Sequence, residues 1–239
     1  MTTGFFKDFK FENLANAIQQ WIGYKIAVNM DHVLAEDTLK IPVCDYLSRY
    51  MGIVELEKNI PVFCNRQYDL FFKNESMSLE CYFEFKYAQK GFMMKENHIR
   101  RVFYDLLRLN AADNSARRFF IMCGQTVEFN ETFKEFDRNG GQKNNVWESG
   151  SYKPDRVYEK MFDFKKIGSE KVIDCGDSEI NTFKKNFIDE YKLHKKDLDQ
   201  GMKIEEVVED ISHVKTKLVY LQSHSQYPAA VGIWEVEHT

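Results

Sequence analysis

Leu79-Glu80-Cys81-Tyr82-Phe83-Glu84-Phe85-Lys86-Tyr87 alternates with a period of two. Leu79, Cys81, Phe83 and Phe85 point one way, and Glu80, Tyr82, Glu84 and Lys86 the other, as in a strand. The turn Lys73-Asn74-Glu75-Ser76 joins it to a second strand, Tyr68-Asp69-Leu70-Phe71-Phe72, so the two read as a hairpin. An earlier strand covers 53–57, with Pro61 and Asn65 marking the connection. Downstream, Ile99, Val102, Phe103, Leu106 and Leu109 form the buried stripe of a helix over about 95–110. Arg100, Arg101, Tyr104, Asp105 and Arg108 form its polar face, with Arg101 and Asp105 as an i,i+4 pair. Phe119-Phe120-Ile121-Met122-Cys123 then reads as a strand covered on both faces. A helical crossover between strands implies that this last pairing is parallel.

Outward from this centre, helices are expected over 11–22 (ending at Gly23), about 27–39 and 43–50 (opened by Pro42 and stopped by Gly52). Beyond the crossover, Asn139-Gly140-Gly141 and Asn144-Asn145 signal loops, although Trp147, Tyr152, Tyr158, Phe162 and Phe164 make 124–165 more than a linker. Helices at about 178–197 and 203–213 precede strands at 217–222 and 230–237. The reading is one α/β domain over 1–239: a core at about 27–125 and an elaboration over 126–239.

Composition removes several classes. Thirty-three basic against 37 acidic residues give a net charge of −4, which argues against a polybasic nucleic-acid coat. The five cysteines form no C-x-x-C pair, so a zinc ribbon or redox dithiol has no support and a reducing compartment is expected. No long apolar run suggests a signal peptide or a membrane span, so a cytoplasmic location is expected. The six histidines have no ligand spacing, and no phosphate-loop, dinucleotide or nucleophile-elbow motif occurs.

The chemistry-bearing candidates are Asp69, Glu84 and Lys86. Alternation places Glu84 and Lys86 on one face, ~6.6 Å apart along the strand. The hairpin brings Asp69 to Glu84. Two adjacent carboxylates suit a divalent cation with hard oxygen ligands, and the Phe85 carbonyl is a third candidate ligand. Lys86 is then available to orient water or neutralise charge on a phosphate. The competing reading is a solvated edge strand with Asp69 as a cross-strand partner.

Tyr68-Asp69, Glu84, Phe85-Lys86 and the surrounding element order resemble the PD-(D/E)XK phosphodiesterase superfamily over about 27–125. The resemblance implies a restriction-endonuclease-like α–β–β–β–α–β core with extra C-terminal helices and strands. It also implies Mg²⁺ or Mn²⁺ as cofactor, and a metal-dependent endonuclease acting on DNA in a restriction, defence or mobile-element setting. Glu36, with Asp37 as alternative, matches the family's acidic residue on the first core helix. Tyr68 stands where the family motif has Pro, and the Q-x-x-x-Y helix of one exonuclease branch is missing. Arg100, Arg101 and Arg108, with Arg117 and Arg118, are the candidate phosphate contacts. The 124–165 segment and the C-terminal helices would bind substrate or a second protomer, making a homodimer possible. A catalytically silent binding module and an RNA-directed nuclease remain as alternatives.

Overall fold

The computed structural model describes residues 9–59, 67–89, 96–112, 115–134, 154–193, 204–224 and 226–237. The elements are α1 (Phe11–Ala27), α2 (Glu36–Ser48), β1 (Ile53–Asn59), β2 (Gln67–Asn74), β3 (Leu79–Ala88), α3 (Glu96–Asn110) and β4 (Arg117–Gln125). After them come α4 (Thr126–Lys134), α5 (Pro154–Met161), β5 (Glu170–Asp174), α6 (Ser178–Leu193), α7 (Ile204–Glu209), β6 (His213–Gln222) and β7 (Ala229–Glu237). The strands form one seven-stranded mixed sheet in the order β1-β2-β3-β4-β7-β6-β5. β3 and β4 pair in parallel across α3, and the other neighbours are antiparallel.

Both faces of the sheet are covered, which explains the uninterrupted apolar run of β4. On one face, Leu14 and Ile18 of α1 and Leu39 and Val43 of α2 pack with Phe83, Phe85, Phe119 and Ile121. On the other, Phe103 of α3, Phe183 of α6 and Phe162 pack with Phe120, Met122 and Trp234. The alternation of β3 holds: Phe83 and Phe85 belong to the first core and Tyr82 to the second.

The helices depart from their expected bounds for identifiable reasons. α1 runs through Gly23, where the small residue admits Pro228: a Cβ would lie 3.1 Å from its Cγ. Helix 27–39 does not form; Asp31–Val33 is a single 3₁₀ turn. Pro42 sits inside α2 instead of opening a helix. Thr38 Oγ1 accepts from the Ala35 amide at 3.1 Å to fix the helix start. Burial of Leu39, Val43, Tyr46 and Leu47 then carries the helix past the one amide that Pro42 lacks. α7 stops at Glu209 because His213 already pairs with Asp174, the last residue of β5. β5 itself is short and polar, with Ile173 as its buried anchor.

A second departure concerns 124–165. Tyr158 and Phe162 are core residues, and Phe162 lies 4.6 Å from the Trp234 ring and 5.3 Å from Phe120. They therefore stabilise the sheet and do not offer a substrate platform. Trp147, Tyr152 and the loop signals at 139–145 lie outside the described residues, as do Pro61 and Asn65.

Phe120→Ala is expected to cost about 3–5 kcal/mol, because it empties the centre of the Phe162–Trp234 cluster. Val127→Ala, 65% exposed on α4, should change stability by no more than about 0.5 kcal/mol. Urea unfolding of the two variants measures the contrast.

Candidate functional site: a charged cleft where β2 parts from β3

The β2–β3 ladder pairs Asn74 with Leu79 through to Leu70 with Phe83. At the next position the pairing changes character. The Asp69 side chain, not its backbone, accepts the Phe85 amide N–H at 2.8 Å. β1 is distorted at the matching level. Glu57, between the pairs Leu56–Leu70 and Lys58–Tyr68, has φ of 54°. A non-glycine residue in that region is strained. Tyr68 is turned beneath α3, where its hydroxyl donates to the Arg108 carbonyl at 3.0 Å.

The gap is filled by charge. The Lys86 ammonium lies 2.9 Å from Glu36 Oε1 at the start of α2 and 2.7 Å from Asp105 Oδ2 on α3. It also donates to the Phe85 carbonyl at 3.0 Å. Arg108 Nε donates to Glu84 Oε1 at 3.1 Å, and its guanidinium also pairs with Asp105. Lys40, one turn beyond Glu36, lies 3.3 Å from Asp69 Oδ1, 2.9 Å from Asp37 and 3.6 Å from Glu57. Asp69 and Glu84 lie close enough to shift each other's acidity. Beside them opens a polar cleft of about 320 Å³ lined by Asp37, Lys40, Glu57, Gln67, Tyr68, Asp69 and Arg108.

Three cations therefore face six carboxylates, and the imbalance shows in their acidities. Burial pushes Glu84 well above the ordinary carboxylate range, helped by Asp105 and Asp69 and opposed by Arg108. Glu36 is pushed up to about 7, by burial first and then by Asp105 and Asp69, with Lys86 opposing. Asp69 goes the other way. Burial alone would raise it, but Lys86, Glu84, the Phe85 amide and Lys40 hold it below its usual value. Burial would lower Lys86, but Asp105, Glu36, Asp69 and Glu84 outweigh it and keep the ammonium charged.

The structure thus brings Glu36, Asp69, Glu84, Lys86 and the Phe85 carbonyl into one cluster. Asp37, the alternative to Glu36, is exposed and reaches the cluster through Lys40. Of the five arginines expected to contact phosphate, Arg108 lines the cleft and is turned inward onto Glu84. Arg101 is exposed, and Arg100 lies 5.8 Å over the Tyr104 ring. Arg117 holds Glu235 in a two-pronged pair at 2.6 and 2.7 Å, and Arg118 is buried.

The polar face expected for α3 is corrected: Tyr104 and Asp105 are buried, and Asp105 pairs with Lys86 and Arg108 instead of Arg101. Tyr104 is covered by α6, whose Phe187 ring meets it edge-on at 4.9 Å, and Asp105 turns toward Lys86 of β3. Sequence reasoning missed Lys40 and Asp105. Their only local signals are the four-residue step from Glu36 to Lys40 and the three-residue step from Asp105 to Arg108.

Among the described residues no group of three or more His, Cys, Asp or Glu is arranged as a metal site. The donor chemistry nevertheless suits a hard cation: Glu36, Asp69, Glu84 and the Phe85 carbonyl all offer oxygens to one cluster.

Because the native state holds Glu36 and Glu84 protonated above the unfolded-chain value of about 4.5, folding binds protons in that window. Stability in metal-free buffer should therefore fall as pH rises from about 5 to 7. Asp69 has the opposite sign, and its contribution is lost on acidification below its unfolded value. Glu36→Gln should fall less steeply than wild type over the same window, read by urea unfolding at pH 5, 6 and 7. An equal slope in the two chains would contradict the assignment of Glu36.

Compared with protein-family models, with curated proteins and with solved structures, the chain finds no match.

Proposed function

We propose that the protein is a Mg²⁺- or Mn²⁺-dependent phosphodiesterase of the PD-(D/E)XK kind that cleaves nucleic acid, with DNA as the favoured substrate. One observation carries this reading: Glu36, Asp69, Glu84 and Lys86 meet where β2 parts from β3 beside an open polar cleft. The element order α2–β1–β2–β3–α3–β4 supports the same reading.

Asp69 and Glu84, with Glu36 and the Phe85 carbonyl, would hold the divalent cation. Bound there, the cation supplies Lewis-acid polarisation of the scissile phosphate. The chain's own residues do the rest. Lys86, anchored by Asp105, presents an ammonium at the carboxylates, suited to orienting water and stabilising charge that develops on the phosphate. Arg108 offsets Glu84 and borders the cleft that would receive the polynucleotide. The exposed Arg101 is a candidate phosphate contact outside it.

A second reading has its own support. Lys86 is already paired with Glu36, Arg108 with Glu84, and Lys40 with Asp69. A nuclease-like fold with its charges internally satisfied would serve as a catalytically silent binding module.

Incubation with plasmid, linear and single-stranded DNA, and with RNA, in Mg²⁺ or Mn²⁺ separates the two. Cleavage is expected, and Lys86→Ala should slow it ~100-fold or more, the scale of removing one charge-stabilising donor. Glu84→Ala should abolish it, while circular dichroism confirms that both variants fold. Cleavage equal to wild type in both variants would place the chemistry elsewhere, and no cleavage of any substrate would favour the silent module.

A further inference from the structure

We infer that the Lys86 ammonium is a built-in counter-cation: it fills the cation position of the cluster, and a divalent ion must displace it from Glu36 and the Phe85 carbonyl to bind. The inference rests on the phosphodiesterase reading and deepens it.

Three oxygens surround the nitrogen: Asp105 Oδ2 at 2.7 Å, Glu36 Oε1 at 2.9 Å and the Phe85 carbonyl at 3.0 Å. Two of them, Glu36 and the Phe85 carbonyl, are the oxygens assigned to the metal. Asp105 is not. It is fixed from the other side by Arg108 on its own helix, and its side chain is 3% exposed. The Lys86 side chain is itself 13% exposed, so its ammonium has little water to turn to. Taken without it, Glu36 and Asp105 are neighbouring carboxylates in a poorly solvated site, an arrangement that is costly unless a cation separates them.

The tether therefore has two consequences. It holds α2, β3 and α3 together when no divalent ion is present, and it opposes the entry of one. When the ion takes Glu36 and the carbonyl, Asp105 is the partner left to Lys86. Asp105 is thus a positioning residue that keeps the ammonium beside the reacting phosphate after the exchange. The alternative role for Lys86, ordering the ligands in advance, makes the opposite forecast, since its removal would then weaken metal binding.

The test is Mn²⁺ titration of the full chain by calorimetry, wild type against Lys86→Met, with thermal unfolding of both in chelator and in saturating Mn²⁺. Lys86→Met is expected to bind Mn²⁺ about tenfold tighter, because a like charge has left the site. It should melt lower than wild type in chelator and gain more from Mn²⁺. Folding of Lys86→Met only when Mn²⁺ is present would support the exchange in the same way. Equal or weaker binding in Lys86→Met would overturn it while leaving the metal reading intact. Failure of both Lys86→Met and Lys86→Gln to fold even in Mn²⁺ would also overturn it, since the ion could not then replace the ammonium. Absence of Mn²⁺ binding in every chain would remove the phosphodiesterase reading itself.

Discussion

A buried ammonium among carboxylates is the constraint on which the rest of this architecture turns. Lys86 contacts α2 through Glu36 and α3 through Asp105, although the two helices belong to opposite faces of the sheet. Apolar packing has no means of joining them at this level, because the sheet lies between the two cores. The charges meet only because β2 leaves β3 after Leu70, which opens a passage between the faces. Removing one member of such a cluster strands the others in a poorly solvated site, which is why buried pairs are costly to break even when their net contribution to stability is small.

The parting of β2 is itself stabilised by side chains. Where the ladder would continue, the Asp69 carboxylate takes the Phe85 amide, so the N–H is satisfied without a strand opposite it. Glu57 accepts a left-handed backbone conformation at the same level of β1, at a cost on the order of 1–3 kcal/mol. Strain, an interrupted ladder and an excess of carboxylates thus coincide in one place. A sequence selected for stability alone would pair the strands and fill the gap with apolar side chains, and violations of local rules concentrated at one point are expected at functional or strained sites.

Much of this was legible in the sequence, because the signals were local. The alternation of 79–87 assigned each β3 side chain to its face, and the crossover implied the parallel β3–β4 pair. Glu84, Lys86 and Asp69 could be brought together from a hairpin alone. What was hidden depended on partners distant in sequence. Asp105 read as a surface residue because its helix looks amphipathic, yet it is buried against Lys86, a partner on a different element. Lys40 fell between the helices expected at about 27–39 and 43–50, and its partners, Glu57 and Asp69, come from two different strands. Pro42 looked like a helix start because its local effect is clear, whereas the burial that carries α2 past it comes from the sheet.

The charge balance also bears on how a polyanion would approach. The net charge of −4 agrees in sign with the carboxylate excess of the cleft, where Asp37, Glu57 and Asp69 stand beside Lys40 and Arg108. A phosphate brought to that wall meets repulsion that the two cations, already engaged with carboxylates, do not cancel. Under the phosphodiesterase reading, a divalent ion therefore does more than polarise the reacting phosphate. By adding positive charge beside Asp69 it also weakens the repulsion that the substrate meets. Metal binding and nucleic-acid binding are then thermodynamically linked, each strengthening the other by the same factor, because the two charges interact across one site.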